Sequence, residues 1–153
     1  MTTEIDEQAP AAPDPLALEN QVCYALAVAA RNVVALYRPI LEPLGLTHPQ
    51  YLVMLALWEQ SPRSVRGLAS ALSLEPATLS PLLKRLEAAG LLTRSRSASD
   101  ERMLDVALTE KGRVLRATAE TIPPRVAAAL DMSVPELQQL RGVLHRVIAA
   151  TVG

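Results

Sequence analysis

The sequence predicts a mainly α-helical chain that carries one small β-hairpin. Three observations predict it. Apolar residues recur at helical spacing through most of the chain. Two Ser/Thr-x-x-Glu/Gln capping boxes, Thr47 with Gln50 and Ser133 with Glu136, mark helix starts. One late segment switches period: Leu104, Val106 and Leu108 alternate with Asp105 and Ala107, as a half-buried strand does. With 153 residues, 50% hydrophobic and 20% charged, the chain can bury a core as one domain.

Residues 1–13 are acidic, contain Pro10 and Pro13, show no apolar period and are expected to be a disordered tail. The first helix is expected from Asp14 as cap and Pro15 in its first turn, with Leu16, Cys23, Leu26, Ala30, Val33 and Tyr37 on one face. This reading places Cys23 mid-helix and ends the helix before Pro39. A short helical turn, PILEPLG, leads to the Thr47 capping box and a second, largely apolar helix that should be buried. Ser64 caps the short amphipathic VRGLASAL. After the turn SLEP, a further helix begins near Pro76 or Ala77 and runs to Gly90, a residue suited to the left-handed terminal position. LLTRSRS and MLDVALT pair as a two-stranded hairpin around the polar tip SASDER. Thr109 caps a helix interrupted or kinked at Pro123 and Pro124. The last helix carries Leu137, Leu140, Val143, Leu144, Val147 and Ile148 as an apolar stripe.

A helix, a tight turn and a helix followed directly by a β-hairpin form a winged helix-turn-helix, whose second helix enters a DNA major groove while the wing reaches a minor groove. Charge agrees with that. The net charge is −1, yet residues 61–104 carry seven Lys/Arg against four Asp/Glu, leaving the remainder at −4. A weakly basic segment in an acidic frame is compatible with a phosphate-binding face. Ser64, Thr78, Ser80, Lys84 and Arg85 are the candidate DNA contacts on the helices, and Arg94, Arg96, Asp100 and Arg102 those of the wing. Asp100 is expected to orient Arg102 by ion pairing.

Other chemistry is sparse. One cysteine cannot make an intrachain disulfide or a paired-cysteine zinc site, and His48 and His145 are the only histidines. No metal or cofactor is expected. No apolar run approaches the roughly 18 residues of a membrane span, and the N-terminal segment lacks a basic start, so a cytoplasmic location away from the membrane is expected.

The segment SVRGLASALSLEPATLSPLLKRLEAAGLLTRSRSASDERMLDVALTEKG resembles the multiple-antibiotic-resistance regulator (MarR) family in its leucine-rich recognition helix, KRLEAAGL exit, DER wing tip and LTEKG helix start. The resemblance implies a winged-helix homodimer, usually a repressor, whose N- and C-terminal helices form the dimer interface. Residues 16–60 and 110–151 would then supply dimerisation helices, and 61–109 the DNA-binding region, of a single domain over 14–153. Residues 20–58 are similar to the organic-hydroperoxide-resistance regulators (OhrR), in which a first-helix cysteine senses peroxide and two tyrosines hydrogen-bond its sulfur. Carried over, the cysteine is Cys23 and the first tyrosine Tyr37; the second falls on His48, a departure from the pattern.

Helix geometry bears on this independently. Cys23 and Tyr37 share a face, but their separation of 14 residues amounts to about 21 Å along a straight helix, so they meet only if Tyr37 comes from a partner. His48 follows a helix cap, where the helix dipole favours a neutral imidazole. The expected function is a repressor of a peroxide-detoxifying gene, not an enzyme. The reduced dimer binds a pseudo-palindromic double-stranded operator, and organic hydroperoxides oxidise Cys23. A low-molecular-weight thiol, a sulfenamide or overoxidation then completes the step, since no second cysteine resolves it. Two other readings stand beside it. One is a MarR-type repressor released by a small aromatic or lipophilic ligand, with Cys23 incidental. The other is a small thiol peroxidase, for which the sequence offers no resolving cysteine and no account of the hairpin arginines.

Overall fold

Residues 12–152 are described by a computed structural model, so the expected tail at 1–13 lies almost wholly outside the described residues; Ala12 and Pro13 are exposed and belong to no helix or strand. Among the described residues seven α-helices and three strands, besides 3-10 turns at Leu18–Asn20 and Glu42–Leu44, follow in the order α1 (Val22–Leu41), α2 (His48–Glu59), β1 (Arg63–Ser64), α3 (Val65–Leu72), α4 (Pro76–Ala88), β2 (Leu92–Arg96), β3 (Leu104–Leu108), α5 (Glu110–Ala119), α6 (Ile122–Leu130) and α7 (Val134–Thr151). Two compact units divide the chain inside α1, one ending at Ala35 and the other starting at Leu36.

In the first unit, α1 starts later than Asp14 and Pro15 suggest. The Asp14 carboxylate accepts the Leu16 amide at 2.9 Å, and the amides of Asn20 and Gln21 donate to the carbonyls of Asp14, Pro15 and Ala17. These local bonds hold the backbone in turns that compete with a helix. Cys23 therefore sits in the first turn of α1, not at its middle, and is exposed. The far end also differs from expectation, because α1 passes through Pro39 to Leu41. A proline so near the end withdraws a single intrahelical donor. Ile40 and Leu41 just beyond it are buried in the core of the second unit.

The second unit holds that core: Leu41, Met54 and Leu57 pack with Leu68 of α3, Leu79, Leu83 and Leu86 of α4, Leu92 and Val106 of the sheet, and Ile122 of α6. Gly45 turns the chain into α2 with φ of 70°, and the Thr47–Gln50 capping box is formed from both sides. The Ser64 hydroxyl caps α3 by accepting the Gly67 amide at 2.9 Å, and α4 begins at Pro76 as read. Gly90 takes the left-handed conformation after α4 with φ of 78°.

The sheet has one strand more than expected, with order β1-β3-β2, all antiparallel. Arg63 and Ser64 pair with Val106 and Asp105. Two residues are too few to show an alternating pattern, which is why β1 is silent in the sequence. Arg96 pairs with Leu104 at the tip end of the wing. The interruption at Pro123 and Pro124 is a full break, with α5 ending at Ala119 and α6 starting at Ile122. α7 forms with its Ser133–Glu136 capping box, and none of its residues is buried. No helix among the described residues is long and apolar enough to cross a membrane.

Candidate functional site

Helix α4 is two-faced for a simple reason: its leucines repeat at helical spacing. Leu79, Leu83 and Leu86 are buried, so Thr78, Ser80, Lys84 and Arg85 are left on exposed positions. This places two hydroxyls and two cations on one accessible helix, the side-chain types that contact phosphates and base edges. Ser64 is already engaged as the α3 cap, though a hydroxyl that accepts one bond retains a proton to donate.

The wing is shaped by its own short-range bonds. The Asp100 carboxylate accepts the Arg102 backbone amide at 3.0 Å, the Met103 amide donates to the Asp100 carbonyl at 3.0 Å, and the Ser97 amide to the Met103 carbonyl at 2.8 Å. Asp100 thus sets the backbone of the tip. Among the described residues it forms no ion pair with Arg102, which departs from the sequence-based expectation, because an Asp side chain reaches a backbone amide two residues on more readily than a long flexible guanidinium. Arg96 donates to the Glu101 carbonyl at 2.7 Å across the hairpin, and Arg102 stays exposed.

Arg94 has another engagement. Its guanidinium meets Glu87 at 3.2 Å and its backbone amide donates to the same carboxylate at 3.0 Å, tying β2 to α4. The two hydrogen bonds from Arg94 hold the Glu87 carboxyl below its ordinary range. Sequence reasoning counted Arg66 only as charge. In the structure it lines, with Ser64, Val65, Pro76, Arg102 and Met103, a cleft of about 260 Å³ between α3, α4 and the wing. Its signal was its place two residues after the Ser64 cap, on the solvent side of α3.

The candidate redox residues are distributed over the two units. Cys23 lies in the first, while Tyr37 and His48 lie in the second and come together. Their ring centroids are 5.0 Å apart in an edge-on arrangement at 62°. Tyr51, overlooked in the sequence, closes on Tyr37 at 5.7 Å and 38°. The chain reaches this arrangement because α1 ends just past Tyr37, a 3-10 turn and Gly45 reverse it, and the capping box fixes the first turn of α2 that bears His48 and Tyr51. Burial lowers the His48 pKa from its ordinary 6.5, so the imidazole is neutral at neutral pH, one nitrogen donating and the other accepting. Burial also raises the Tyr37 phenol, keeping it a protonated donor. Tyr51 is raised by burial first and by Tyr37 second.

A family description, transcriptional regulator SarA/Rot, matches residues 35–118. The chain is 39% identical over 135 residues to the organic hydroperoxide resistance transcriptional regulator of Bacillus subtilis, covering 88% of this chain and 92% of that one. It belongs to the MarR family of winged-helix regulators, in the organic-hydroperoxide-resistance branch. Reduced AbfR bound to DNA, from a protein of Staphylococcus epidermidis, is similar at TM-score 0.72 and 30% identity over 89% of this chain and 95% of that one. CouR from Rhodococcus jostii RHA1 bound to p-coumaroyl-CoA is similar at TM-score 0.75 and 28% identity, over 90% and 99% of the two chains. As a MarR-family member the chain is a DNA-binding transcriptional regulator, and its three-stranded sheet with α3 and α4 is the family's winged helix.

Proposed function

We propose that this MarR-family chain is a redox-sensing repressor whose DNA binding ends when organic hydroperoxides oxidise Cys23. The observation that carries the reading is the exposed thiol of Cys23 on α1, in a chain matching an organic hydroperoxide resistance regulator along nearly its whole length. In the working homodimer, residues 16–60 and 110–151 supply the dimerisation helices and 61–109 the DNA-binding region. The exposed apolar residues Leu140, Val143, Val147 and Ile148 on α7 suit such an interface. Thr78, Ser80, Lys84 and Arg85 enter the major groove; Ser64, Arg96 and Arg102 contact backbone and minor groove; Asp100 and Arg94 hold the wing in shape.

The Cys23 thiolate attacks the distal peroxide oxygen, the O–O bond breaks, and the alcohol leaves after taking a proton. Sulfur is oxidised by two electrons to sulfenic acid and the hydroperoxide is reduced. A low-molecular-weight thiol then condenses with the sulfenic acid, giving a mixed disulfide and water. Neutral His48 and protonated Tyr37, contributed by the opposite protomer, donate hydrogen bonds to the sulfur. The added bulk changes the spacing of the two α4 helices, which must match half-sites about one DNA turn apart. Electrophoretic mobility shift with cumene hydroperoxide tests this: wild type releases the operator, and Cys23→Ser stays bound. Equal release by both proteins contradicts the reading.

A second reading has one observation in its favour. A cavity of about 330 Å³ is lined by the apolar and aromatic side chains of Tyr51, Leu55, Trp58, Ala119 and Pro123 together with Glu59, Glu120 and Arg116, the last paired with Glu120 at 3.3 Å, and CouR is seen with p-coumaroyl-CoA. A small aromatic or lipophilic ligand bound there would release DNA with Cys23 fully reduced. Release by such a ligand under reducing conditions distinguishes the two.

A further inference from the structure

The geometry points to Tyr51 as a positioning residue for the sensing reaction, acting through Tyr37. The inference rests on the reading that Tyr37 and His48 assist Cys23. Tyr51 is only 3% exposed, so its ring is fixed by packing. It follows His48 by three residues in the first turn of α2, and residues so spaced lie on one helix face. Both rings therefore meet Tyr37 from the same helix, His48 by its edge and Tyr51 tilted at 38°. The Thr47–Gln50 box, whose two hydrogen bonds measure 3.0 and 3.4 Å, fixes the turn that carries both.

Tyr37 is half-buried near the end of α1, where the helix also contains Pro39 and so lacks one backbone bond. Among the described residues His48 and Tyr51 are the two aromatic rings that pack on Tyr37, at interplanar angles of 62° and 38°. Among the described residues the Tyr51 hydroxyl makes no hydrogen bond, so its contribution to Tyr37 is the ring. Phenylalanine therefore keeps the contribution, and a residue without a ring removes it.

The test measures Cys23 oxidation by cumene hydroperoxide in the full-length reduced protein, across pH, for Tyr51→Leu, Tyr51→Phe, Tyr37→Phe and His48→Phe. Tyr51→Leu is expected to slow oxidation about three- to tenfold, the factor that a lost aromatic pair converts to. Its pH profile should move the same way as that of Tyr37→Phe, with operator affinity of the reduced protein retained. Tyr51→Phe should recover the rate relative to Tyr51→Leu. Where Tyr51→Leu does not fold, Tyr51→Met supplies a flexible, ringless side chain of suitable bulk for the same comparison. If Tyr37→Phe slows oxidation while the ringless Tyr51 variants lower only thermal stability, Tyr51 is a core residue and the inference is overturned. If neither Tyr37→Phe nor His48→Phe changes the rate, the assisting role of that pair falls and this inference falls with it.

Discussion

Gly112→Ala is expected to destabilise the chain by about 3 kcal/mol or more, at or beyond the upper end of ordinary overpacking. A Cβ at this position would run into the Leu91 carbonyl and stand 3.2 Å from a Leu108 methyl. The obstacle is backbone, so no rotamer change relieves it. Gly112 also sits where α5 is fastened: the Thr109 hydroxyl accepts the Gly112 amide at 3.1 Å and donates to the Gly90 carbonyl at 2.6 Å, while the Thr109 amide donates to Leu91 at 3.1 Å. The Gly112 carbonyl itself accepts the Trp58 indole at 2.9 Å. Displacing Gly112 therefore disturbs the seating of α5 on the turn between α4 and β2 and its tie to α2 together. Urea denaturation of the wild-type and Gly112→Ala proteins checks this, and equal midpoints would show that α5 seats differently from the structure.

The second large effect falls on DNA affinity. Arg102 is exposed at the wing, its backbone amide fixed by Asp100 and its guanidinium without an ion-pair partner among the described residues. It is the wing arginine most available to DNA, since Arg94 is tied to Glu87 and Arg96 to the Glu101 carbonyl. Arg102→Ala is expected to weaken operator binding by about 1 to 3 kcal/mol, roughly five- to 150-fold. Loss of a phosphate contact would also reduce the salt slope of binding by about one unit. Fluorescence anisotropy at several salt concentrations measures both. An unchanged affinity and slope would remove the wing tip from the interface.

How far the sequence revealed this molecule depended on how each feature is encoded. Helix starts written as side-chain caps were legible, because Thr47–Gln50, Ser64, Thr109 and Ser133–Glu136 place the capping oxygen and its partner within three residues. The left-handed Gly90 was legible for the same local reason. Features that depend on distant partners were not. β1 exists only because β3 pairs with it, and α1 continues through Pro39 into residues that the core buries. The late start of α1 followed from Asn20 and Gln21 reaching back to earlier carbonyls, a competition the apolar spacing hides.

At the candidate site, residue types were easier to read than their engagements. The exposed face of α4 followed directly from the leucine spacing. The commitment of Arg94 to Glu87 did not, since the six residues between them span a helix end and a turn. Tyr51 went unseen because a tyrosine in an apolar helix looks like core; its ring contact with Tyr37 appears only when α1 and α2 fold back on each other.

If oxidation of Cys23 causes DNA release, the two events must rise together. The most direct measurement follows both in one sample: operator-bound protein is titrated with cumene hydroperoxide in the presence of a small thiol, with anisotropy reporting bound DNA and intact mass reporting the state of Cys23. Release is expected to track modification of Cys23 in proportion throughout the titration. Release from protein whose mass is unchanged, or full modification with the operator still bound, would contradict it.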